Sequence, residues 1–172
     1  LYIGVYGPPT NVVFLSVHLC VALALLFLFF PIHRAWDQPL NAWSVVDLLC
    51  VALSLALLCY FLASIDTWQQ RIVEMRPIDS IAAFVLIAIV VEAVRRTVGW
   101  ALILLAAFFV VHALFADRFP GVLYGPPVSV ESLLQTIFIG DGGIFGIPVL
   151  VMAQYVVLFL LFGRLLQATG AG

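Results

Sequence analysis

Glu92, Arg95 and Arg96 stand three and four residues apart in "VEAVRRTVGW", Val91 to Trp100, a stretch that is otherwise apolar. On a helix this spacing stacks one carboxylate against two guanidiniums, in the order that favours an ion pair along the axis. Two kinds of chemistry follow. The three side chains can neutralise one another near a membrane surface, or the arginine forks can hold an anionic lipid headgroup or a partner's carboxylate. Both uses can hold together. Other polar groups interrupt apolar runs: His18, His112, Gln154, Asp47 and Asp79. Such groups are suspects for function, so each is weighed. Neither histidine has a second His or Cys at ligand spacing on its own helix, so hydrogen-bonded packing is expected over metal binding or proton relay. Gln154 can bond across helices or line a path. Asp47 and Asp79 fall near helix starts, where the dipole tolerates an acid and a cap is expected.

No nucleophile elbow, zinc-protease motif or paired-aspartate constellation occurs, so no catalytic residue is assigned and no enzyme is expected. "GDGGIFG" has the glycines of a phosphate loop without its Lys or Ser/Thr, and reads as a flexible joint. Cys20, Cys50 and Cys59 lie in apolar runs without a C-x-x-C pair, and read as small hydrophobes rather than a disulfide framework or a metal site.

The elements that must carry these groups are set by composition. The 172 residues are 65% apolar and 9% charged, with a mean hydropathy of +1.23. A soluble domain is about 25% charged, and this chain cannot cover a surface with so few ions. The expected class is an all-α integral membrane protein with about five transmembrane helices. All seven basic residues are Arg, and the formal charge of −2 gives no reason to expect nucleic acid.

Apolar runs place the spans at about Val12–Ile32, Ser44–Ser64, Asp79–Ala93, Val98–Ala116 and Ile147–Leu166. Trp36 and Trp43, in the first connection, suit headgroup depth. Ser64–Ser80 carries a partial apolar stripe and predicts an interfacial helix. Ile81–Ala116, as one helix, would be about 54 Å long, too long for a hydrocarbon core of about 30 Å. A fold-back is therefore expected at Glu92–Gly99, leaving the third span short, at about 22 Å. After the Gly/Pro loop at Phe119–Ser129, an amphipathic helix of about 11 residues from Val130 is expected, capped by Ser129. Orientation stays open: with alternating sides, Arg71, Arg76 and Arg118 stand against Arg34, Arg95, Arg96 and Arg164, which gives no positive-inside signal. The start at Leu1 and the terminal "QATGAG" read as cut ends of a longer polypeptide.

The order of spans, the "VEAVRRTVGWAL" hairpin, the "FPG" loop, "SVESLLQTIFIGDGGIFGIPV" and "VLFLLFGRLLQATGAG" together resemble the fused permease of tripartite ATP-independent periplasmic (TRAP) transporters. The resemblance covers nearly the whole chain. It implies a four-helix small-subunit region at 1–118, a loop and amphipathic helix at 119–146, and the first helix of the large transport subunit at 147–172. It further implies uptake of organic anions (carboxylates) with sodium as coupling ion and no other cofactor. Its implied partners are a periplasmic substrate-binding protein, the remainder of the large subunit and membrane lipid, in a bacterial or archaeal cytoplasmic membrane. The family's sodium and substrate sites lie in segments that this stretch does not include, so transport by it alone is not expected. Two other readings stay open: a stand-alone membrane adaptor or assembly protein, and a small membrane lipid enzyme, which would need His18, His112, Asp47 or Glu92 to converge.

Overall fold

The structure, a computed structural model, describes residues 11–31, 42–64, 76–138 and 143–170. Every regular element among them is helical: α1 (Asn11–Phe29), α2 (Ala42–Ala63), α3 (Pro77–Thr97), α4 (Trp100–Leu114), α5 (Val130–Phe138) and α6 (Ile147–Thr169). Leu, Val, Ala and Ile without an internal Pro make α1 to α4 regular. The expected interfacial helix and the tryptophan-bearing connection fall largely on 65–75 and 32–41, outside the described residues.

The fold-back after α3 differs from expectation. The helix does not break at the charges but runs through them to Thr97, for 21 residues. At about 1.5 Å per residue it is about 32 Å long, enough to cross a hydrocarbon core. Glu92 with Arg95 and Arg96 are helix-favouring pairs, so they extend the helix. The reversal is left to Val98 and Gly99, whose N–H groups both reach the Val94 carbonyl, at 2.8 and 3.0 Å. Gly99 has φ of 98°, a conformation that a side chain resists. The short element is instead α4, with 15 residues.

Beyond α4 the chain doubles back. Val128 N–H donates to the Ala113 carbonyl at 2.9 Å, and Gly125 N–H to that of Ala116 at 3.2 Å. Ser129 Oγ accepts the Ser132 N–H at 3.2 Å and caps α5 as expected, though α5 has nine residues. At Gly143, the described part of the glycine joint, an added Cβ would sit 2.4 Å from the Ile137 carbonyl oxygen. Only a glycine lets the chain press this closely on the end of α5 and turn into α6.

The core lies where α1, α2 and α3 meet. It uses Cys20, Leu23 and Phe27 of α1, Cys50, Leu57 and Phe61 of α2, and Ala83, Leu86 and Ile89 of α3. Small side chains at the contacts, with buried Ser16 and Ser54, let the helix axes come close. The apolar face of α5 closes one end: Phe61, Phe138 and Phe145 pack with ring centroids 4.9 to 5.8 Å apart. No residue of α4 is buried, and of α6 only Ala153 is. Val45–Ala63, Pro77–Thr97 and Ile147–Thr169 are long and apolar enough to cross a membrane, and Val13–Phe29 and Trp100–Leu114 are shorter apolar helices. Exposed apolar faces of this extent are consistent with a membrane protein.

Candidate functional site: an arginine hub joining three helices

Helix α3 brings Glu92, Arg95 and Arg96 to its last turns, facing the end of α1 and the second turn of α2. Glu92 takes both arginines. Arg95 donates Nε to Oε2 at 2.7 Å and Nη2 to Oε1 at 2.8 Å, and Arg96 donates Nε to Oε1 at 2.8 Å. The expected self-pairing is present.

Arg96 reaches further than that. Its Nη1 donates to Asp47 Oδ1 of α2 at 2.6 Å and to the Phe30 carbonyl just past α1 at 3.2 Å. Its guanidinium carbon lies 4.7 Å from the centre of the Phe27 ring, a cation–π arrangement. The Arg96 side chain keeps only 4% of its exposure and that of Asp47 14%, against 25% for Glu92 and 32% for Arg95. The two arginines are therefore unequal: Arg96 is a buried three-helix pin, and Arg95 is a half-exposed companion. Among the described residues, two carboxylates face two guanidiniums in this cluster. Arg96 Nη2 is buried without a hydrogen-bond partner among the described residues, which is costly in a dry site.

Sequence reasoning placed Asp47 as a helix-start acid and missed this partnership. The available signal was charge balance. Two arginines against one glutamate leave one cation over, and Asp47, in the second turn of α2, lies past the free N–H groups that a cap would use.

A second polar contact closes the opposite end of the bundle. The Tyr60 hydroxyl of α2 donates to the Asp79 carboxylate, which also accepts the Arg76 N–H at 2.9 Å. Asp79 thus closes the first turn of α3, as expected of it, but it is fully buried and joins two helices as well.

The remaining candidates do not converge on either site. His112 contacts the Leu123 carbonyl through Nε2 at 2.9 Å and packs on the Phe108 and Phe119 rings, tying the following loop to α4. His18 is half-buried on α1, and Gln154 is exposed on α6. Among the described residues, no group of three or more His, Cys, Asp or Glu could hold a metal ion. A groove of about 420 Å³ between α1, α3 and the start of α6 is lined by Leu19, Val90, Ile137 and Val149, with Thr136 as its one side-chain hydroxyl. That hydroxyl is spent on the Ser132 carbonyl, at 2.8 Å. The chain has no significant match to a family model, a curated protein or a solved structure.

Proposed function

We propose that this chain is a membrane-embedded scaffold, the small-subunit region and first large-subunit helix of a TRAP-type permease. In this reading the three long apolar helices and the two shorter ones, α1 and α4, all cross the bilayer, α5 lies at its surface, and the chain supports uptake of organic anions with sodium without holding the transport site. The observation that carries the scaffold part is the Arg96 hub. A buried cation that bonds a carboxylate on α2, a carbonyl after α1 and its own Glu92 fixes three helix ends relative to one another. Helices held rigidly suit an element that stays still while another moves. The outer faces of α4 and α6 leave room for further helices. The transport part, its periplasmic binding protein and its location in a cytoplasmic membrane rest on the sequence resemblance.

The test has two arms. The chain should resist alkaline carbonate extraction, co-purify with the co-expressed remainder of a TRAP-type large subunit, and show no sodium-driven carboxylate uptake alone in proteoliposomes. Carbonate release would remove the membrane reading. Uptake by the chain alone would remove the scaffold role, and failure to associate would leave the adaptor reading.

A further inference from the structure

Helix α4 does not match its neighbours in length. Its 15 residues extend about 22 Å, whereas the 21 of α3 and the 23 of α6 extend about 32 and 35 Å. The part of α4 fit for hydrocarbon is shorter still, because irregular chain wraps its last turn. His112 meets the Leu123 carbonyl through Nε2 at 2.9 Å, and the Ala113 carbonyl accepts the Val128 N–H at 2.9 Å. Between α4 and α5 only Ala116–Arg118 and Gly121–Leu123 are regular, as single tight turns. Non-helical backbone that faces lipid does not lie at hydrocarbon depth. The headgroup level therefore reaches in to about Ala113. At the other end, Gly99 ends the reversal beside the Glu92–Arg95–Arg96 cluster. What remains apolar is residues 100–111, about 18 Å against a hydrocarbon core of about 30 Å.

Tilting would only shorten the reach of α4 across the layer. Side chains can snorkel out of such a mismatch, but backbone cannot, and the Ala113–Val128 backbone pair sets one edge. Protein does not enclose the helix either. No residue of α4 is buried, and Trp100, Leu104 and Phe109 stay 62%, 65% and 60% exposed. A further helix on one side would leave the other sides to lipid.

We infer that the bilayer thins against α4, which takes lipids with shorter acyl chains than those that suit α3 and α6. The inference rests on the reading that α4 crosses a membrane. A span shorter than the hydrocarbon layer draws the two headgroup surfaces together, and short chains lower the cost of doing so. The chain then carries a step in membrane thickness, deep at α6 and shallow at α4.

The test uses the full chain carrying Cys59→Ser, which removes the exposed cysteine and leaves Cys20 and Cys50 buried. A fluorophore is attached at Leu104→Cys on α4 or at Leu160→Cys on α6, two positions near mid-span that are equally exposed, at 65%. The vesicles mix fourteen-carbon and twenty-two-carbon phosphatidylcholines, with bromine on one component or the other. Short-chain bromolipid should quench the α4 label about three-fold better than long-chain bromolipid, and the α6 label should show no such preference. Inserting Leu-Ala-Leu-Leu after Ala107 adds one turn of about 6 Å and should remove most of the preference. An equal or reversed preference at the two labels, or one that the insertion leaves unchanged, overturns the inference. An α4 label that neither lipid quenches, beside a quenched α6 label, overturns it and leaves the longer spans in the membrane. Two unquenched labels overturn the membrane reading as well.

Discussion

The neighbouring arginines Arg95 and Arg96 differ in what their loss would cost. Removing the Arg96 guanidinium breaks its buried pair with Asp47 from one side, a change that costs about 3–5 kcal/mol. Arg96→Ala should therefore lower the melting temperature in detergent far more than Arg95→Ala. The latter takes a half-exposed group from Glu92 and should cost under about 1 kcal/mol. Arg96→Lys should recover only part of the loss, because a single ammonium cannot serve Glu92, Asp47 and the Phe30 carbonyl with a planar fork. Asp47→Ala combined with Arg96→Ala should cost less than the two single changes summed, by about 0.5–3 kcal/mol. Equal melting for the two single arginine variants would dismiss the hub. The Glu92 pairing was legible from sequence because it depends only on spacing within one helix. The Asp47 pairing depends on which helix stands beside α3.

Between elements, the glycines are the sensitive joints. Gly143→Ala would push a methyl group against the Ile137 carbonyl at 2.4 Å, backbone that cannot yield as a side chain can. Overpacking of this kind costs about 1–3 kcal/mol. Gly163, inside α6, has nothing within 4 Å of an added Cβ, and Gly163→Ala should stabilise the helix by up to about 1 kcal/mol. Thermal unfolding of the two variants should move in opposite directions; a destabilised Gly163→Ala would show that the α6 face is already occupied at that point. The sequence marked the joint near Gly143 and read it as flexible, because composition carries no information on how closely two backbone segments approach.

For the whole molecule, polar contacts secure both ends of the three-helix core, Arg96–Asp47 at one and Tyr60–Asp79 at the other, with apolar packing between them. Such a bundle should lie across a bilayer with its two polar ends at opposite surfaces. Single cysteines at Val98, which is exposed, and Tyr124, in the Cys59→Ser background, should react with an impermeant maleimide from opposite sides of sealed vesicles. Labelling from one side would mean that α4, with 15 residues, does not cross. Phe61→Ala should cost about 3–5 kcal/mol, and it should loosen α5 from the bundle, because Phe61 is the ring on which Phe138 and Phe145 converge. Protease protection of the loop before α5 would report that release.

Composition and periodicity by themselves determined the helical class, the order of the helices and most of their extents, because helices form from contacts within a few residues. They also determined that Glu92 pairs with the two arginines and that Asp79 and Ser129 close helix starts, which are local contacts as well. Tertiary structure alone decided that Asp47 completes the hub, that Tyr60 meets Asp79 and that Gln154 faces outward. Each of these depends on the relative placement of segments far apart in the chain. In apolar helices of nearly uniform hydrophobicity, no polar face announces that placement in advance. Only packing shape and a few buried charges select which faces meet.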